Sequence, residues 1–209
     1  LNERGGDIAR DLSSSKNNGR LINGTKWVKG IKGKALRFDG VDSYLELDSM
    51  VTLQKEGATF SWWMKPKEDG GIFNRGSGTG GSAYSHLELR DSGTTLFGET
   101  TTNCNHFDFV GIPDARDEWK HYSIIFNNSK AYLYINGGYW GEATDYGWDE
   151  CNGNSTNQMV NDVEVQNFGP ETYQPNFNGT IDRIRFYPYP LSESEIQELY
   201  AEGKSQFSS

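Results

Sequence analysis

Cysteine is scarce in this chain: Cys104 and Cys151 are the two among 209 residues. Two thiols are too few for a metal cluster and too few to define a disulfide scaffold, so an apolar core must do most of the holding. No stretch approaches the roughly 18 apolar residues that a membrane span requires, and no membrane insertion is expected. The sequence does not open with a Met-initiated signal peptide, so it reads as a mature product or an excised domain. An excess of basic residues is also lacking. Lys and Arg number 20 against 29 Asp and Glu, a net charge of −9, and the acids are spread along the chain. Such a surface repels phosphate backbones, which argues against nucleic acid as a partner. The charge serves solubility, or it draws divalent cations.

What is abundant points one way. Glycine (25 residues) and aromatic side chains (13%) favour many short strands joined by tight turns. The length suits one undivided all-β domain over 1–209. Four Asn-x-Ser/Thr sequons occur, at Asn23, Asn127, Asn154 and Asn178. Together with a pair of cysteines they favour an extracellular or cell-surface setting and a Cys104–Cys151 disulfide. In the loop-entropy model that bridge would contribute about 4 kcal/mol.

Strand-like runs recur with period two. Residues 35–38 and 44–47 flank a turn at 40–43, the run 59–64 stops at Pro66, and 86–90 and 95–97 flank a turn at 91–93. Residues 119–126 and 130–135 are joined through 127–129. Alternation broken by turns at short intervals predicts an antiparallel β-sandwich of the jelly-roll kind. No helical periodicity precedes residue 190. Beyond it, Ser192 and Glu195 read as a capping box between the staple residues Leu191 and Ile196. Ile196, Leu199 and Tyr200 form the stripe of one short C-terminal helix, which Gly203 is expected to stop.

The ordered set formed by residues 30–45, 60–65, 119–122, 133–137 and 177–187, followed by Leu191-Ser192 and Glu195-Ile196, resembles laminin G-like, concanavalin A-like domains. The resemblance spans nearly the whole chain and implies the same sandwich. Domains of this kind usually open with a strand before a segment like Asp7–Ser14, whereas here six residues stand before Asp7. The first strand is therefore expected to be truncated, or supplied by a neighbouring segment.

Period two places Asp182 on the face of Ile184 and Phe186, where a carboxylate is costly unless paired or metal-bound. Asp39 ends a strand at a turn, and Asp11 precedes the oxygen-rich loop at Asn17 and Asn18. The resemblance implies a calcium in this region, held by Asp11, Asn17, Asn18, Asp39 and Asp182, since calcium takes hard oxygen ligands. The alternative pairs Asp182 with Arg37 or Arg183 and leaves the other acids capping turns.

Two further clusters could meet a ligand. Trp140, Tyr146 and Trp148 lie among glycines and acids beyond the central hairpin, either stacking on a sugar or packing beneath a long loop. His86, Glu88 and Arg90 share the polar face of one strand, near Arg75 and Tyr84, as a cleft lining or as a solvated face. The Gly-rich stretch after Arg75 lacks a phosphate-binding Lys and opens no helix, so nucleotide is not expected. The Glu-x-Asp-x-Glu pattern of retaining hydrolases is absent, because residues 162–166 lack the third acid. Residues 86–90 share three positions with a lyase-like motif whose Gln-Ile-His partner strand is missing. The expectation is therefore a non-catalytic binding module for a glycan or a cell-surface protein. The alternative is a structural or adhesive domain of a larger assembly, such as a filament, envelope or virion.

Overall fold

The computed structural model describes residues 6–75, 85–99, 106–144, 163–169 and 175–204. In chain order its elements are β1 (Ile8–Ala9), β2 (Gly19–Ile22), β3 (Lys26–Lys29), β4 (Lys34–Asp39), β5 (Tyr44–Leu53), β6 (Gly57–Pro66) and β7 (Gly70–Asn74). Then come β8 (His86–Arg90), β9 (Thr95–Glu99), β10 (His106–Val110), β11 (Lys120–Asn127), β12 (Lys130–Ile135) and β13 (Gly138–Glu142). The last three are β14 (Val163–Phe168), β15 (Asn178–Tyr187) and α1 (Glu193–Lys204). The strands make two antiparallel sheets, as the alternation predicts. One has eight strands in the order β1-β2-β5-β14-β7-β8-β9-β10, the other seven in the order β13-β12-β11-β6-β15-β4-β3.

Alternation puts one side of each strand into the space between the sheets. Phe38, Phe60, Trp62, Tyr122 and Phe126 enter it from the seven-stranded sheet, and Phe73, Leu87, Leu89, Phe107 and Phe168 from the other. Phe60 stacks on Trp62 at 4.2 Å and meets Phe73 edge-on at 5.4 Å, so one ring ties both layers. Such aromatic pairs add about 0.5–1.5 kcal/mol beyond their area burial. Gly98 is part of this packing. A Cβ there would lie 2.1 Å from the Phe107 ring, so the absent side chain is what lets that ring lie across β9.

Turn chemistry sets the hairpins. Asn128 and Ser129 both have positive φ between β11 and β12, as do Asn136 and Gly137 between β12 and β13. Two-residue loops of that conformation match the twist of the strands they join.

The helix starts where its cap predicts. The Ser192 amide donates to the Glu195 carboxylate at 2.8 Å and the Glu195 amide reaches Ser192 Oγ at 3.4 Å. Leu191, Ile196 and Leu199 cover Ile125 in a small satellite core on the outer face of the seven-stranded sheet. Its far end differs from expectation. Gly203 does not stop the helix but lies inside its last turn, where a Cβ would stand 2.4 Å from the Trp63 ring. The missing side chain brings the helix down onto Trp63, and Tyr200 stacks on the same indole at 5.6 Å.

Candidate functional site

The outer face of the eight-stranded sheet carries a continuous cross-strand row. Read through the register, Arg20 of β2 lies opposite Glu46 of β5, then come Asn167 of β14, Asn74 of β7, His86 of β8, Glu99 of β9 and His106 of β10. Each of these strands turns its apolar neighbours inward: Leu45 and Leu47, Phe168, Phe73, Leu87 and Leu89, Leu96, Phe107 and Phe109. The row's polarity therefore follows from period two. At a strand spacing of about 4.8 Å, the stretch from Glu46 to His106 is about 24 Å long.

The middle of the row is buried although it belongs to an outer face: Asn74 is 3% exposed, His86 5% and Asn167 6%. Asn167 donates to Asn74 Oδ1 at 3.1 Å, and His86 lies between Glu99 (3.5 Å) and Glu88 (3.6 Å). Glu88, one register step away, is fully buried and ion-paired with Arg90. The Arg90 guanidinium lies over the Phe97 ring at 3.6 Å, while Arg75 pairs with Glu164 at 2.7 Å. A buried carboxylate is tolerated when cations flank it. Glu88 Oε2, Asn167 Oδ1 and Arg90 Nε are nevertheless buried with no hydrogen-bond partner among the described residues. Such groups normally have partners, so these are the least satisfied polar atoms beneath this face.

His86, Glu88 and Arg90 thus lie together on β8, while Arg75, next to Asn74 of β7, pairs with Glu164. The row members Asn74, Glu99, His106 and Asn167 escaped sequence reading. Alternation in 106–110 would have given His106, but the bulges at Gly71/Phe73 and Val165/Asn167 displace the pattern that would have given Asn74 and Asn167.

The aromatic candidates are placed elsewhere. Trp140 belongs to β13, at the edge of the seven-stranded sheet, and is 44% exposed. It is not on the strand face that bears His86, Glu88 and Arg90. Past β13, Thr144 crosses to the other sheet and donates to Asp108 O on β10 at 2.8 Å. Tyr146 and Trp148 lie outside the described residues, as do Tyr84, Cys104 and Cys151.

The five oxygen-bearing residues proposed for calcium fall in three places. Asp11 accepts from the Ser13 and Asn17 amides at 2.8 and 2.9 Å, and Asn18 Oδ1 accepts from the Asp11 amide in that same loop. Asn17 bridges to Ser49 through its amide and its carbonyl. Asp39 accepts from the Val41 amide and the Ser43 hydroxyl, and the Val41 bond foremost lowers its pKa.

Asp182 is a correction to the period-two reading. A β-bulge between Asp182 and Arg185, with Arg183 at φ +51°, reverses the alternation. Asp182 consequently pairs across from Trp63 on the outer face, while Ile181 and Phe186 oppose the core residues Met64 and Phe60. There it is fully buried and accepts from the Ile31 amide at 3.0 Å and the Arg183 amide at 2.7 Å. Burial raises its pKa, and these amides offset part of that shift.

Asp39 lies opposite Asn178 on β15, four residues from Asp182, or about 13 Å by strand rise. The residues do not fit one shared calcium. Among the described residues, no group of three or more His, Cys, Asp or Glu side chains is arranged to hold a metal ion.

Of the sequons, Asn23 is exposed in a left-handed turn, Asn127 ends β11, and Asn178 is bonded to Arg37 and Glu68. Asn154 lies outside the described residues. No described helix is long and apolar enough to cross a membrane.

Comparison with known structures finds the same sandwich repeatedly. Domain 4 of an extracellular arabinanase from Geobacillus stearothermophilus, solved with arabinotriose, is 20% identical with a TM-score of 0.63, over 90% of this chain and 91% of that one. The binding domain of Paraclostridial Mosquitocidal Protein 1 is 19% identical with a TM-score of 0.62, over 92% of this chain and 49% of that one. The binding domain of botulinum neurotoxin serotype D is 15% identical with a TM-score of 0.61, over 93% and 50%. The chain thus spans about half the length of these toxin domains. At such identities the likeness shows the fold. No curated protein sequence matches the chain. A family model, described as the concanavalin A-like lectin/glucanases superfamily, matches residues 39–197. With three quarters of its length matched and both sheets in place, the chain belongs to the concanavalin A-like lectin/glucanases superfamily.

Proposed function

We propose that this domain is an extracellular, non-catalytic module that binds a glycan across the outer face of its eight-stranded sheet. The observation that carries this reading is the continuous polar row from Glu46 to His106, flanked by the partly exposed side chains of Arg75, Arg90 and Glu99. Sugar hydroxyls both donate and accept, so they can meet carboxylate, amide and guanidinium groups in one line. The Phe97 ring, 4.7 Å from His106 and under Arg90, adds an apolar wall of the kind that small-ligand sites combine with a few placed polar groups. The arabinanase domain solved with arabinotriose supports a carbohydrate ligand for this fold. Catalysis is not part of the reading, because Glu88 is committed to Arg90 and Glu164 to Arg75. The receptor binding domain of the botulinum neurotoxin C/D mosaic serotype, which has the same fold, favours a second reading, in which the same face meets a receptor.

A glycan array followed by titration calorimetry tests the proposal. Wild type is expected to bind at least one oligosaccharide, and His86→Ala and Asn167→Ala to lose about tenfold in affinity with unchanged circular dichroism. Absence of binding to every glycan, or variants that bind as wild type, would overturn it.

A further inference from the structure

The opposite side of the sandwich carries a groove of its own. It encloses about 400 Å³ beside the start of α1 and is lined by Tyr132, Tyr134 and Tyr139 together with Leu191, Ser192 and Glu193. Its origin is local. Tyr132 and Tyr134 share one face of β12 by period two, and the turn at Asn136-Gly137 brings Tyr139 back opposite Tyr134. The two rings meet at 5.4 Å and 67°, so Tyr139 is held upright at the sheet edge.

Exposure singles this place out. Among the described residues the exposed large aromatics are Tyr139 (54%), Tyr189 (50%) and Trp140 (44%). Of these, Tyr139 lines the groove, whereas Trp140 and Tyr189 are not among its lining residues. Single exposed rings are ordinary, but Tyr139 stands with Tyr132 and Tyr134 in one concavity, which marks it as an interaction surface.

Charge narrows the ligand. Lys130, on the same strand as the two tyrosines, is tied to Glu142 at 2.8 Å, and the charge lining the groove is the carboxylate of Glu193. Among the described residues that line the groove, an anionic group would find no cation. An uncharged ring with C–H faces and hydroxyls matches tyrosine faces, phenol groups and one acid. The volume suits a small ligand. A protein interface would need roughly 800 Å² per partner.

The geometry points to a second saccharide site, for an uncharged sugar ring, in the groove between Tyr132, Tyr134 and Tyr139 and the start of α1. It shares the ligand class of the reading above and none of its residues, so either stands without the other.

The test uses protein carrying ¹³C-labelled tyrosine in the His86→Ala background, titrated with arabinotriose, xylotriose, cellotriose and maltotriose. Ring signals of Tyr132, Tyr134 and Tyr139 are expected to move with at least one sugar. Adding Tyr139→Ala should weaken that titration about tenfold. Tyr139 is more than half in solvent, so the fold should tolerate its loss; Glu193→Gln provides a second variant, expected to weaken binding with every ring in place. The inference fails if no sugar moves the tyrosine signals, or if folded variants titrate like their parent. Because His86→Ala already disables the row across the other sheet, failure of that site leaves this result untouched.

Discussion

His121 accepts a fixed place beneath α1, where its Nε2 lies 2.9 Å from Ser61 Oγ and its ring 5.3 Å from Trp63. Burial first, and then the charges of Arg185 and Arg183, hold its pKa down to about 3 against an ordinary 6.5. The unfolded chain therefore takes up a proton that the folded one refuses. Stability from this residue is complete above pH 6.5 and drains as pH falls toward 3. The slope is at most about 1.4 kcal/mol per pH unit. Urea midpoints should drop between pH 6.5 and about pH 5, before most carboxylates titrate, and His121→Gln should flatten that drop. An unchanged slope in the variant would place the titrating group elsewhere.

Asp182 shows what single residues hide from sequence reading. Its being special was legible, since an acid in an apolar strand needs a partner. Its face and its partners were not, because one left-handed residue, Arg183, shifts the phase of the strand and one donor, the Ile31 amide, lies 151 positions away.

At the scale of elements, local patterns were legible where local chemistry decides. The capping box and the turn at 127–129 are short-range signals, and the structure shows both. The strands β1, β2, β3, β7, β10, β13 and β14 were not found, because the partner strand each pairs with, more than its own propensity, makes it a strand. Gly203 was misjudged for a related reason. A glycine reads as a helix stop until a tryptophan from another element needs its space. Two substitutions separate these causes. Ser192→Ala removes the cap and should lower stability by about 1 kcal/mol. Gly203→Ala improves helix propensity, yet it should cost about 1–3 kcal/mol by driving a methyl into Trp63. Thermal melts that show Gly203→Ala to be stabilising would mean that the helix does not seat on the indole.

For the whole molecule, the sandwich was visible in alternation and in the ordered resemblance, and the row across the eight-stranded sheet only partly so. His86, Glu88 and Arg90 share one strand and could be read together. Asn74 and Asn167 join them only through register, which a linear sequence does not state. The calcium expectation also belongs to this scale, since a shared ion would link both sheets. With Asp11, Asp39 and Asp182 each supplied by protein donors, the melting midpoint is expected to be the same in excess chelator and in added calcium. A lower midpoint in chelator would reveal a bound cation.

The position of β15 in its sheet has a consequence for how the chain comes to be folded. It lies between β6 and β4, at the heart of the seven-stranded layer, although its residues 178–187 are among the last of the 209 to leave the ribosome. Until they emerge, β4 and β6 each present a bare strand edge across the widest part of the layer. Long-range pairing of this kind is intrinsically slow and leaves nascent chains open to aggregation. Synthesis rate and chaperone supply, more than final stability, should then govern the yield of soluble protein.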